Sequence, residues 1–124
     1  MHVHVVDPSA YTRAYDHALC EALAEAGANV ELITSRFGYG PVAAPSGYSV
    51  RELYYRRVPG RAGSRLRSGF KLLWHGPDMA RYRRLAAHAD VVHFQWLPVQ
   101  WLDVHLLPRR PLVPTAHDLL PREA

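Results

Sequence analysis

The spacing of apolar and polar residues divides this chain into short extended segments separated by longer helical ones. His2 to Val6 alternate loosely and stop at Asp7-Pro8, which predicts a buried first strand ended by proline. In the following YTRAYDHALCEALAEAG, residues Ala18, Leu19, Ala22, Leu23 and Ala26 recur at helical spacing and form one apolar face. Glu21 and Glu25 fall on the other side, and Gly27 suits the position just past a helix end. NVELIT supplies a second strand, Val30 to Thr34, so that strand, helix and strand make a βαβ unit. From Arg36 to Gly47 the composition turns to Gly, Pro, Ala and Ser, a loop.

YSVRELYYRRV reads as a third strand, packing through Val50, Leu53 and Tyr55 and broken by PGRAGS. Helical spacing returns from Arg65 to Trp74, pauses at Gly76-Pro77 and continues from Asp78 to His88. DVVHFQW predicts a fourth strand, a short helix follows around Val99 to Leu107, and Leu112 to Ala116 make a fifth strand. The order predicts an α/β fold: a Rossmann-like, doubly wound parallel sheet of about five strands with helices on both faces.

The length of 124 residues and the 48% hydrophobic content fit one globular domain, residues 1–124, with one core. A single cysteine, Cys20, excludes an internal disulfide and fits a reducing compartment. No signal-peptide pattern opens the chain, and no apolar run approaches the roughly 18 residues of a membrane span. The expected location is therefore cytoplasmic. Charge changes this picture in one respect. Between Arg51 and Arg84 ten basic residues face only Glu52 and Asp78, a local charge of +8 within a chain of net charge +4. Such a concentration predicts an anionic partner or an arginine-rich solvated surface.

In open parallel sheets ligands gather at the carboxyl ends of the strands, where the strand order reverses. Those ends collect Asp7, Pro8 and Ser9, then Ser35 and Arg36, then His93 to Trp96, and finally His117 and Asp118. His117 is the leading candidate, because an imidazole can hydrogen-bond a phosphate or hydroxyl and titrate near neutral pH. His2 and His4 share a strand face but open their strand rather than close it, and no ligand set at metal spacing accompanies them, so no metal is expected. In GSRLRSGFKLLWHG, residues Leu66, Phe70, Leu73 and Trp74 fall within one helical arc of about 100°. Arg65, Arg67, Lys71 and His75 lie outside it. That pattern describes either a helix packed on the sheet or one lying on an anionic bilayer through Leu66, Arg67, Phe70, Lys71 and Trp74.

Three segments, HVVDPSAYTRAYDHALCEALAEAGANVELITSRF, ADVVHFQWLP and PLVPTAHDLLPRE, together resemble the N-terminal half of retaining glycosyltransferases of family 4, of GT-B architecture. The resemblance implies two Rossmann-like domains facing across a cleft, the C-terminal one holding a nucleotide-sugar donor and the N-terminal one shaping the acceptor pocket. It implies that His117 is the catalytic histidine reaching the transferred sugar. It also implies that the loop Pro8 to Thr12 approaches donor phosphates and acceptor. Substrate contacts are then expected from Asp7, Pro8, Ser9, Tyr11 and Thr12, with Gln95 and Asp118 lining the same cleft. No cofactor is expected beyond the nucleotide sugar as co-substrate.

Many family members carry glycines in that first loop, whereas Ser9-Ala10-Tyr11-Thr12 has none. The C-terminal donor-binding domain is absent from the sequence, so the chain is expected to be an incomplete, acceptor-side piece, inactive alone. Its expected partners are that missing domain or a partner chain, with the sugar donor and acceptor. The alternative is a non-catalytic α/β module for an anionic membrane surface or a phosphorylated ligand. Nucleic acid is not expected, since Tyr54, Tyr55 and Arg56 come with no recognised nucleic-acid motif. Self-association is expected from an open sheet edge.

Overall fold

Val3, Val5 and Val6 are β-branched residues that fit a pleated, doubly covered strand, and His2–Asp7 (β1) occupies the middle of the sheet. The computed structural model describes residues 1–10, 12–36, 44–56, 65–97 and 100–114. Strand β1 pairs in parallel with Asn29–Ser35 (β2) on one side and with Val91–Phe94 (β4) on the other. Ser49–Tyr54 (β3) extends the sheet beyond β2, and Leu112–Pro114 (β5) extends it beyond β4. The order is β3-β2-β1-β4-β5, with every pairing parallel. Among the described residues three helices connect the strands: Arg13–Glu25 (α1), Arg65–Leu85 (α2), which runs into a 3-10 turn at Ala86–His88, and Gln100–Leu106 (α3). The expected doubly wound α/β architecture is the one observed.

The two-residue period of the strands sorts their side chains between two apolar layers. Val3, Val5, Val30 and Leu32 pack with Cys20 on the α1 side, and Leu19 and Leu23 partly cover them. Val6, Ile33, Leu53, Val92 and Phe94 pack on the α2 side with Met79 and Tyr82. His4 belongs to the second layer. Its Nδ1 meets the Tyr82 hydroxyl at 3.0 Å, and burial holds its pKa below the usual value.

Three local expectations are corrected. In α1, Ala18, Ala22 and Ala26 are exposed, and the buried stripe instead runs through Asp16 and Cys20. That phase packs Cys20 against the strands and turns the Asp16 carboxyl inward, where Gln95, just past β4, donates to it. Strand β3 stops at Tyr54 rather than Val58, because Tyr55 takes a left-handed backbone (φ 57°) that no strand tolerates. That strained residue is held by its own N–H, which donates to Asp78 Oδ2 at 2.7 Å. Helix α2 does not pause at Gly76-Pro77. Pro77 and Leu73, whose carbonyl the proline ring leaves unpaired, are both on the exposed side, where water can accept the loss.

Both Asp78 and Tyr55 are buried, so removing the acceptor would strand a backbone N–H without water. Asp78→Ala is expected to lower stability by about 2 kcal/mol and Asp78→Asn by clearly less, read from urea denaturation midpoints.

Candidate functional site

The site is built where β1 and β4 end side by side. The Gln95 N–H donates to the Val6 carbonyl at 2.8 Å, prolonging the β1–β4 ladder by one rung and bringing Gln95 beside the end of β1. The chain then reverses sharply after Asp7. Its carbonyl accepts the Ala10 N–H at 3.1 Å and the Thr34 hydroxyl at 2.7 Å. Ala10 lies in the left-handed region (φ 54°), so the loop makes a glycine-type turn without a glycine. The Thr12 N–H returns to Asp7 Oδ2 at 3.2 Å, and α1 begins at the next residue.

Thr12 makes no side-chain capping bond; its hydroxyl instead links two other groups. It accepts the Trp96 indole N–H at 3.0 Å and donates to Asp16 Oδ1 at 3.4 Å. The Gln95 carboxamide donates to that same oxygen at 3.2 Å. Asp16 is fully buried, and its Oδ2 has no partner at full hydrogen-bond geometry among the described residues. Burial pushes the Asp16 carboxyl up to about 9, the hydrogen-bonding and like charge of Asp7 push the same way, and the Gln95 and Thr12 donors oppose them. The surroundings of Asp16 therefore favour its neutral form.

Of the residues expected from the sequence, the structure brings Asp7, Thr12 and Gln95 into this one network, with Pro8 and Ser9 buried in the turn between them. Tyr11, His117 and Asp118 lie outside the described residues. The strand leading to His117 and Asp118 does run beside β4, with Pro114 opposite Phe94. Of the helical set, Phe70 and Trp74 pack partly against the α2-side core, and the Lys71 ammonium sits 4.9 Å above the Tyr55 ring. The side chains of Leu66 and Arg67 lie outside the described residues. Leu72 and Leu73, by contrast, are exposed at 58% and 68%.

Sequence reading missed Asp16, although one signal was available. Asp16, Cys20 and Leu23 also recur at helical spacing, and that phase turns a carboxylate into the core. It also missed a second buried network. The Tyr55 hydroxyl meets His75 Nδ1 at 2.6 Å, and His75 Nε2 bonds Asp103, so that the end of β3, the middle of α2 and α3 are tied together. No trio of metal-binding side chains occurs among the described residues. A hollow of about 350 Å³ beside edge strand β3 is lined by Val50, Arg51, Glu52, Leu53, Arg56 and Arg81. Arg51 is paired there with Glu31, and Arg81 with Asp78 at 3.3 Å.

A parallel sheet whose order reverses beside β1 defines a doubly wound α/β domain, and its buried polar cluster lies at the carboxyl edge where such folds bind ligands. Residues 14–124 match the model of Glycosyltransferase Family 4, and the chain belongs to that family. A search of curated proteins returns no match.

The proton on Asp16 makes stability pH-dependent in a definite sense. The unfolded chain releases it near pH 4 and the folded chain only near 9, so this group's contribution is complete below pH 4 and is lost as pH rises towards 9. Asp16→Asn should therefore gain on the wild type between pH 5 and 8 by about 1 kcal/mol per pH unit in urea denaturation.

Proposed function

We propose that this chain is the acceptor-side domain of a retaining glycosyltransferase of GT-B architecture, which moves a sugar from a nucleotide-sugar donor to an acceptor. Family membership combined with the polar network at the ends of β1 and β4 carries this reading. Neutral donors and acceptors such as Ser9, Thr12 and Gln95 suit sugar hydroxyls, which need both. His117, three residues past the end of β5, is assigned to the transferred sugar, and Tyr11 and Asp118 to substrate contacts. The leaving nucleoside diphosphate gathers negative charge in the transition state and needs preorganised positive groups. A donor-binding domain is assigned that task, in the same polypeptide or a partner chain, and the present residues alone are inactive. No resident cofactor or metal takes part in this scheme.

The test is turnover. The 124-residue chain, offered a panel of nucleotide sugars and acceptors, should release no nucleotide; release by the isolated chain overturns the division of labour. Joined to a donor-binding domain it should become active, and His117→Ala should then lower kcat about 100-fold or more, the scale of losing one group aimed at developing charge.

One observation favours a second role, contact with an anionic bilayer at the cytoplasmic face. Leu72 and Leu73 project from α2 directly after Lys71, in the most basic third of the chain, and no described helix is long and apolar enough to cross a membrane. Peripheral binding of this kind joins apolar insertion to attraction for acidic lipids. Co-sedimentation with anionic vesicles should fall at least about fivefold on replacing both leucines by glutamate, since each insertion loses about 1 kcal/mol or more. Sedimentation indifferent to that change and to salt removes this role.

A further inference from the structure

We propose that the hollow beside β3 is an anion site, in which Arg51, Arg56 and Arg81 hold the phosphate group of a small molecule or of a lipid headgroup. The site rests on the fold alone and stands whether or not the chain serves glycosyl transfer.

Three pieces of chain each bring one guanidinium to this place. Arg51 lies on β3 itself, and Arg81 projects from α2. Arg56 directly follows Tyr55, whose left-handed backbone turns the chain out of the strand. All three are exposed, and β3 is the edge strand on this side of the sheet among the described residues, so the hollow opens to solvent. Its volume is about 350 Å³. At roughly 30 Å³ per water that is room for about ten waters, enough for a phosphate and a small organic group joined to it.

Two of the arginines are steadied from behind. Arg51 donates through Nε to Glu31 on β2, and Arg81 donates through one terminal nitrogen to Asp78 Oδ1 at 3.3 Å. Asp78 is itself fixed, because its other carboxylate oxygen accepts the Tyr55 N–H at 2.7 Å. These bonds use only part of each planar fork of five N–H donors. Among the described residues, both terminal nitrogens of Arg51 have no partner, nor do Nε and the second terminal nitrogen of Arg81. A guanidinium already oriented on one side gives up less freedom when an anion arrives on the other.

The balance of charge favours an anion. Val30 and Leu32 point to the α1-side layer, so Glu31 between them faces the α2 side, as do Arg51 and Leu53 on the neighbouring strand. Glu52 also borders the hollow, but alternation turns its side chain to the α1 side with Val50. On the α2 side Arg51 and Arg81 are each matched by one carboxylate, and the Asp78 carboxylate also serves a backbone N–H. Arg56 forms no ion pair among the described residues, which leaves a positive charge unmatched at the rim. An esterified phosphate presents three acceptor oxygens in different directions, whereas a carboxylate presents two in one plane. Three arginines arriving from three pieces of chain suit the first.

The experiment is an NMR titration of the protein at neutral pH and constant ionic strength, with inorganic phosphate and separately with acetate, following the arginine Nε–Hε signals. Phosphate should move the Arg51, Arg56 and Arg81 signals along one saturable curve, with acetate weaker by about fivefold or more. Arg56→Gln should weaken phosphate by about fivefold or more, the scale of one charge-assisted hydrogen bond. Arg83→Gln, which removes an exposed charge of α2 outside the hollow, should leave the curve in place. Signals unmoved by phosphate, an acetate curve equal to the phosphate curve, or a loss in Arg83→Gln as large as in Arg56→Gln each overturn the site. Should Arg56→Gln fail to fold, the wild-type phosphate and acetate curves decide alone. Co-sedimentation with phosphatidylcholine vesicles containing phosphatidic acid then separates the two sources. A loss in Arg56→Gln but not in Arg83→Gln assigns the site to a lipid headgroup, and equal sedimentation of the two variants assigns it to a soluble phosphorylated ligand.

Discussion

The whole arrangement depends on β1 being hydrogen-bonded on both flanks. Because β2 lies on one side and β4 on the other, the chain must leave β1 and return past it twice, once on each side of the sheet. The strand that follows the first crossover and the strand that follows the second thus diverge from a common neighbour, and in open parallel sheets a crevice is expected at such carboxyl ends, here beside Asp7. The rung between Gln95 N–H and the Val6 carbonyl fixes how far β4 reaches into that opening. Shift this register by one residue and Gln95 would turn to the α2 side of the sheet, away from Asp16.

Around that constraint the chain accepts two local conflicts. Asp16 occupies a core position in α1 where an apolar residue would pack without a proton to hold, and Ala10 occupies a conformation better suited to glycine. Each is unfavourable taken alone, and they sit within six residues of one another at the crevice. Conflicts of this sort are expected where structure serves a ligand rather than stability. Cys20, one turn further along the same stripe, has no comparable conflict: it is a buried apolar thiol in contact with Val3 and Leu32 neighbours.

How much of this could be read from the sequence follows from the range of each interaction. Alternation in His2–Asp7 and Asn29–Ser35, and the helical spacing of α2, are local patterns, and they located the elements to within a few residues. The gathering of Asp7 and Gln95 was legible from strand ends, since topology brings strand ends together, whereas Thr12 was expected only through the family resemblance. Asp16 was not, because the alanine-rich helix α1 offers two apolar stripes of similar quality. Only a partner 79 residues away, Gln95, chooses between them. The early end of β3 was invisible for a like reason: the Tyr55 backbone bond to Asp78 spans 23 residues. Pro77 misled in the opposite direction, because the penalty of a helical proline depends on whether the freed carbonyl can reach water.

The two buried polar networks look alike on paper and differ in completeness, and that difference separates scaffold from site. In the Tyr55–His75–Asp103 set each ring nitrogen of His75 has a partner, and all three residues are buried. A network so satisfied stiffens its surroundings and has nothing left to offer a ligand. Its place accords with this, since it fastens α2 and α3 to the end of β3, on the α2 side of the sheet. The Asp16 set is the contrary case. It keeps an oxygen without a full partner among the described residues, although both networks include or border a residue in the left-handed region. Polar groups left partly unsatisfied in a buried place are costly, and among the described residues the one such atom, Asp16 Oδ2, lies at the reversal of strand order, where open parallel sheets gather their ligands.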